Sequence, residues 1–360
     1  MSLAHGYAVH DQTAPLVPFS FERRPVAAGD VRIQILYSGI CHSDLHQARD
    51  DWGNSKFPMV PGHEIIGRVT EVGPGVTGFK VGDFAGVGCM VDSCRHCAAC
   101  DEDLEQYCEK GASYTYNSTE RDGQPTFGGY SDHIVVEQRF VVKVSETLDL
   151  KAAAPLLCAG ITTYSPLRHW KVGPGQKVGI IGLGGLGHMG VKFAKAMGAT
   201  VVMITTTPEK GADAKRLGAD EVLVSRDPAQ MQAHAGSFDF LLNTIPVSHD
   251  TNPYMGLLKR DATMCLVGVL TELDPPLMGA AMMFGRKHIT GSAIGGMAET
   301  QEMMDFSETQ EMMDFCAEHN IVSDVEVIDI KTVNEAWERM AKNDVRYRFV
   351  IDMATLEKAA

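Results

Sequence analysis

No stretch of this 360-residue chain is apolar for long enough to cross a membrane. No excess of basic residues exists either: 32 Lys and Arg face 46 Asp and Glu, a formal charge of -14. That balance excludes the basic face that nucleic acid or an anionic membrane would require. The first residues, Met1 to Arg24, show no basic start followed by an apolar core, so no signal peptide is expected and the cytoplasm is the expected compartment. Cysteine is too sparse, at nine, for a disulfide scaffold in a chain this long, and an odd count leaves one unpaired. What is present is ordinary for a globular protein, with 44% hydrophobic and 22% charged residues. The length predicts two domains, each with its own core.

From Tyr7 to about Ser145 the pattern is β-rich. Val31–Tyr37 alternates polar and apolar side chains, and Gly67–Gly73 and Gly78–Asp83 read as further short strands bounded by glycine turns. Near Lys151 the texture changes to strands alternating with helices. Strands are expected at Lys177–Ile181, Thr200–Ile204, Glu221–Val224, Phe238–Leu242, Thr263–Val269 and His288–Ser292. Helices are expected at His188–Met197 and Glu209–Leu217. This rhythm predicts an α/β fold with a doubly wound parallel sheet. After Gly296 a helix, a strand near Val325–Ile330, a helix over Val333–Lys342 and a strand over Tyr347–Asp352 are expected, and this tail is expected to return to the first domain. The expected boundaries are 1–155, 156–296 and 297–360.

Ala298–Phe306 (AETQEMMDF) is followed at once by a near copy, Ser307–Phe315 (SETQEMMDF). Nine helical residues advance the phase by about half a turn. The two Met-Met-Phe sides would then face opposite ways, so one copy is expected to be extruded, kinked or exposed, unless the duplication is an artefact of the sequence itself. A functional array needs more units than two.

The cysteines cluster as a metal site would require. Cys94, Cys97, Cys100 and Cys108 fall within fifteen residues and predict a closed tetrahedral zinc that pins a loop. An iron–sulfur run shares the first two spacings, but the last differs and no proline follows Cys108. Metal-free thiols are the plainer alternative. Cys41, His63 and Cys158 lie far apart in sequence, each beside a glycine-containing turn. Together they would give two sulfurs, one nitrogen and an open fourth position, as in a catalytic zinc site. A lone buried cysteine is more often packing, and Cys89, Cys265 and Cys316 fall in that class. Asp44 and Glu64 are carboxylates placed to orient the imidazole or to approach the metal; for Glu64 an ordinary salt bridge is the alternative.

Gly182, Gly184 and Gly187 follow a strand and open a helix. In that context GxGxxG predicts a dinucleotide site, with the pyrophosphate near Gly185, Leu186 and Gly187. At the next strand end, where an NAD enzyme carries a carboxylate for the ribose, stand Thr205, Thr206, Thr207 and, beyond Pro208 and Glu209, Lys210. Three hydroxyls and an ammonium suit a 2'-phosphate, so NADP(H) is expected. The alternative is that Glu209 takes the ribose and Lys210 is a solvated helix residue.

The chain as a whole resembles the zinc-dependent medium-chain alcohol dehydrogenases, and within them the cinnamyl alcohol dehydrogenases and bacterial NADPH-dependent aldehyde reductases. The resemblance is carried by Gly39–His46 (GICHSDLH), Pro58–Gly67 (PMVPGHEIIG), the four-cysteine loop, Asp122–Val136, Pro155–Leu167, Gly182–Ala199 and Val345–Asp352. It implies a GroES-like catalytic domain interrupted by a Rossmann domain, and a homodimer. It implies a catalytic zinc on Cys41, His63 and Cys158 with Glu64 as alternate ligand, and a structural zinc on the four clustered cysteines. It implies a proton relay through Ser43 and His46, and cofactor contacts from Thr162, Val269 and Arg348. The expected reaction is reversible hydride transfer between NADP(H) and primary alcohols or aldehydes. Two places depart from the family pattern: the tandem copy, and Gly111–Asn117, where plant members carry a large aromatic near Ser113 or Tyr114. The second departure weighs against a strict cinnamyl preference. A zinc-free quinone reductase of the same superfamily and a non-enzymatic protein retaining the fold are the rival readings.

Overall fold

The computed structural model describes residues 1–268, 271–304 and 315–356. Two compact units emerge, Met1–Cys158 with Gly296–Ala360, and Ala159–Gly295.

The first unit is built on strand Asp30–Ile40. Its apolar positions Val31, Ile33 and Ile35 are almost fully buried while Arg32 and Gln34 reach outward. Each such burial contributes about 1.5–3 kcal/mol, which fixes the register, because a one-residue slip would expose all three. The strand pairs antiparallel with Ile65–Val72, with His133–Glu137, and at its far end with the late strand Arg348–Asp352. That last strand pairs parallel with Val325–Asp329, so the chain's final segment completes the seven-stranded sheet. The expected strand over Gly78–Asp83 is not formed; the strand there is Phe84–Val87. Val81 is 61% exposed. Asp83 instead closes a turn by accepting the Lys80 N–H at 3.0 Å, and the Gly82 N–H donates to Val69 at 2.9 Å.

The second unit is a six-stranded parallel sheet. Its spatial order is Glu221–Val224, Thr200–Thr205, Lys177–Ile181, Phe238–Asn243, Leu258–Leu266 and His288–Gly291. In order of appearance this is 3-2-1-4-5-6, the Rossmann arrangement, whose reversal point lies between the first and fourth strands. The central strands are apolar without alternation, as expected of strands buried on both faces. Val178, Ile180, Val202, Leu241 and Leu242 have no exposed surface. Among the described residues no helix is long and apolar enough to cross a membrane.

Helix Met297–Met304 carries most of the first tandem copy, and Met303 and Met304 are buried. Residues 305–314, and with them the expected disposition of the second copy, lie outside the described residues.

Candidate metal and cofactor sites

Strand pairing creates the first site. Because Ser38 pairs with Ile65 and Phe349 with Ile40, the end of one strand and the starts of two others meet. Cys41 follows the first, His63 and Glu64 precede the second, and Arg348 opens the third. Cys158 arrives from the short 3-10 turn Ala154–Leu157, which carries Pro155 at its start and ends at Cys158. Cys41, His63, Glu64 and Cys158 thereby place one ligand atom each within 4.8 Å of one another.

The donor set fits zinc. Two sulfurs on a tetrahedral ion with Zn–S near 2.3 Å stand about 3.8 Å apart, and Cys41 and Cys158 Sγ are 3.9 Å apart. That is far beyond disulfide bonding, which needs about 2.05 Å. His63 Nδ1 faces Asp44 Oδ1 at 3.0 Å, which leaves Nε2 for the ion. Glu64 Oε1 is bonded to the Arg348 guanidinium, while its Oε2 is buried with no partner. A buried carboxylate oxygen with no partner beside two thiols fits a cation at this point. Gly39 is required here, since a Cβ on it would lie 1.9 Å from Glu64 Oε2.

Electrostatics follow the burial. The hydrogen bond between the two thiols draws Cys41 well below the usual thiol value and holds Cys158 well above it. Burial acts to lower His63, but the Asp44 carboxylate together with Cys89 and Cys41 outweighs it, so the imidazole titrates well above its ordinary value. Burial pushes Glu64 up to about 7 against the pull of Arg348. A metal bound here would displace protons from these groups.

Ser43 Oγ lies 3.6 Å from Cys41 Sγ. His46 is 39% exposed, and its Nδ1 stands 2.7 Å from Asp51 Oδ2. Arg348, expected against the cofactor, is buried on Glu64 and also donates to the Ile40 carbonyl at 2.9 Å.

The second cysteine group closes on itself. Cys94 Sγ and Cys97 Sγ stand 3.9 and 3.5 Å from Cys100 Sγ, and all four sulfurs lie within 4.8 Å of one another. Backbone N–H groups point at the sulfurs: Cys94 N–H donates to Cys108 at 3.3 Å and Glu109 N–H to Cys97 at 3.4 Å. The Glu109 and Cys100 N–H groups lower Cys97 to about 6. Four thiolates with tetrahedral spacing fit a closed zinc site. Of the remaining cysteines, Cys265 and Cys316 have no exposed surface, whereas Cys89, expected as packing, stands beside the first group: its Sγ lies 3.8 Å from the Leu157 carbonyl and it hydrogen-bonds Cys158, helping to raise that thiol.

In the second unit, Gly182 turns the chain at φ +92° after strand Lys177–Ile181. A Cβ on Gly187 would lie 1.8 Å from the Gly182 carbonyl oxygen, so only glycine allows helix Gly187–Ala196 to start there. Gly184 has open space around it, and Gly185 and Leu186 complete the turn. Thr244, which sequence analysis did not single out, holds this turn: its hydroxyl donates to the Ile181 and Gly182 carbonyls at 2.9 and 3.0 Å. Only its place just after a strand pointed to it. Thr205 ends its strand, with Thr206, Thr207 and Lys210 following, and Lys210 Nζ donates to the Leu183 carbonyl at 3.3 Å. No carboxylate stands at that strand end. Thr162 is buried on helix Ala159–His169. Val269 lies outside the described residues.

Residues 27–146 match the alcohol dehydrogenase GroES-like domain, and residues 185–309 match the zinc-binding dehydrogenase domain. The chain is 52% identical to aldehyde reductase YahK of Escherichia coli strain K12, over 95% of this chain and 96% of that one. A cinnamyl alcohol dehydrogenase of Sorghum bicolor superposes with a TM-score of 0.93 at 46% identity, covering 99% of this chain and 100% of that one. The Helicobacter pylori enzyme crystallised with NADP(H) gives 0.90 at 40% identity, covering 99% of each. The chain therefore belongs to the zinc-binding alcohol dehydrogenases, in the group of the cinnamyl alcohol dehydrogenases and NADP-dependent aldehyde reductases.

Proposed function

We propose that this chain transfers hydride reversibly between NADP(H) and primary alcohols or aldehydes, aromatic and aliphatic. The observation that carries this is the convergence of Cys41, His63, Glu64 and Cys158 around one point. Cys41, His63 and Cys158 would hold the catalytic zinc, with Glu64 as alternate ligand through its unpartnered Oε2. Cys94, Cys97, Cys100 and Cys108 would hold the structural one. When bound, the zinc supplies Lewis acidity at the substrate oxygen and the nicotinamide supplies or accepts the hydride. The chain's own residues position and move the proton. Ser43, beside Cys41, would accept the alcohol proton as it gives up its own hydroxyl proton in the direction of His46. His46 passes it to water, with Asp51 fixing the ring. Arg348 holds Glu64 off the metal side by one oxygen and keeps the other free.

Gly182, Gly184, Gly185, Leu186 and Gly187 would cradle the pyrophosphate with backbone N–H groups. Thr205, Thr206, Thr207 and Lys210 would receive the 2'-phosphate; the absence of a carboxylate at that strand end supports NADP(H) over NAD(H). Thr162 and Val269 belong to the same reading as cofactor contacts, while Arg348 serves it by holding Glu64.

The domain assignment of 1–155 with 297–360 as the catalytic domain and 156–296 as the Rossmann domain is supported by the two compact units. A homodimer is supported by strand His288–Gly291 at the edge of its sheet and by exposed Met278, Met283 and Phe284 on the segment that precedes it. Two cysteine groups spaced as metal ligands support a reducing compartment, the cytoplasm.

A panel of aldehydes assayed with NADPH and NADH tests the proposal. Turnover of benzaldehyde and aliphatic aldehydes with NADPH is expected. No turnover of any aldehyde with either nicotinamide would contradict it.

A further inference from the structure

Beside the buried Tyr116 hydroxyl, which also bonds Asp44, four further donors grip this carboxylate. Its Oδ1 accepts from His63 Nδ1 at 3.0 Å and from the Gly62 N–H at 3.1 Å. Its Oδ2 accepts from the Cys41 N–H at 2.9 Å and from the Tyr130 hydroxyl at 3.2 Å. Asp44 and Tyr130 have no exposed surface. Three of these donors belong to the two segments that carry the ligands Cys41 and His63. The fourth comes from outside them, 86 residues from Asp44 in the chain.

The backbone places Tyr130 there deliberately. Gly128 N–H donates to Val60 at 2.7 Å, Gly129 N–H to Gly62 at 2.9 Å and Tyr130 N–H to Pro61 at 3.0 Å. Residues 128–130 are thus zipped along the stretch that leads into His63. Gly62 adopts φ +101°, and a Cβ on it would lie 2.7 Å from Tyr130 Cδ1. The ring occupies space that any other residue at 62 would fill. Trp337 packs on the ring, with centroids 6.4 Å apart. A phenylalanine would fill the same space. What the tyrosine adds is one buried O–H, which is costly to bury unless it is bonded. The bland account is a satisfied core tyrosine. Against it, the hydroxyl's partner is the carboxylate that orients a metal-facing imidazole. Without the hydroxyl, Asp44 would lose the donor that residues 128–130 bring to it, and the carboxylate would be freer to pivot.

We propose that Tyr130 is a positioning residue for the catalytic metal. Its hydroxyl holds Asp44 at the angle that aims His63 Nε2 toward the Cys41–Cys158 pair, and so sets how firmly the imidazole grips zinc. This rests on the ligand set proposed above.

The test is zinc release from the holoenzyme to a chromogenic chelator, for the parent and for Tyr130→Phe, with the cobalt-substituted d–d spectrum recorded for both. Two release phases are expected in the parent, one per site. In Tyr130→Phe the catalytic phase should run about threefold to tenfold faster, within the range of outer-shell effects on metal sites. The structural phase should stay at the parent rate, the melting temperature should fall by about 2–4 °C at most, and the cobalt bands should shift. A site-specific 3-fluorotyrosine at position 130 keeps the shape and donates more strongly; it should slow the catalytic phase, and it decides the matter alone should Tyr130→Phe not fold. Parent-like release with superimposed cobalt spectra in both variants would overturn the proposal. So would equal acceleration of both phases with a larger fall in melting temperature, which would mark a merely structural tyrosine. A parent with only one zinc would overturn the ligand set itself, and the proposal with it.

Discussion

Cys41 Sγ and Cys158 Sγ stand 3.9 Å apart although 117 positions separate them in the chain. Nothing local brings them together. Strand Asp30–Ile40 delivers one and a proline-started turn delivers the other, so the pair exists only when the first unit is folded. Metal affinity at this site is therefore folded-state affinity, and the ion stabilises the fold that makes its own site.

The four-cysteine loop should behave differently. Cys100 touches both Cys94 and Cys97, so Cys100→Ser removes the sulfur at the centre of the cluster. One zinc per chain should be lost and the melting temperature should drop by about 5–10 °C, because the ion is most of what orders the loop. Calorimetry with metal analysis checks this. An unchanged melting curve and full zinc content would rule out a structural site.

Lys210 is the only cation in the stretch Thr205–Lys210. Lys210→Ala should lower kcat/KM for NADPH about tenfold or more, the effect of one charge-assisted hydrogen bond, and leave NADH little changed. Steady-state kinetics with both nicotinamides measure it. An equal loss for the two would assign the 2'-phosphate elsewhere.

Asp220 gives the second unit an acid-side dependence. Burial raises its pKa, but the Lys195 ammonium at 2.6 Å and the Val201 N–H at 2.8 Å outweigh that and lower it. A carboxylate depressed in the fold stabilises above its unfolded value of about 3.9 and loses that contribution as pH falls through the folded value. Asp220→Asn should therefore melt below the parent at about pH 6, and the gap should narrow by about pH 3. A gap that stays constant with pH would assign the loss to packing instead.

Much of this site could be read from the sequence because its chemistry needs rare residues. Four clustered cysteines have few alternative explanations, and GxGxxG gains its specificity from the strand before it and the helix after it. Strand Lys177–Ile181 falls where the sequence places it because a central parallel strand buried on both faces leaves an apolar run, and the edge strand Glu221–Val224 falls in place although only Leu223 is buried. Gly78–Asp83 misled for the opposite reason: alternation there reflects a turn beside an exposed Val81, and periodicity alone does not distinguish the two. The partner of Arg348 was equally hidden. Its pairing with Glu64 depends on two strands meeting strand Asp30–Ile40 from opposite sides, which is a property of the sheet and not of either segment. The same holds for Asp44. Both it and Glu64 were visible as carboxylates near a ligand, but only the folded chain separates the one that holds His63 from the one that faces the sulfurs.

The most direct measurement is zinc stoichiometry with turnover for Cys158→Ser. The parent should carry two zinc ions per chain and reduce aldehydes with NADPH. The variant should keep one, fold normally, and lose about a thousandfold or more in kcat/KM, since the Lewis acid supplies several kcal/mol of the barrier lowering. A variant that keeps both ions and turns over at the parent rate would contradict the account.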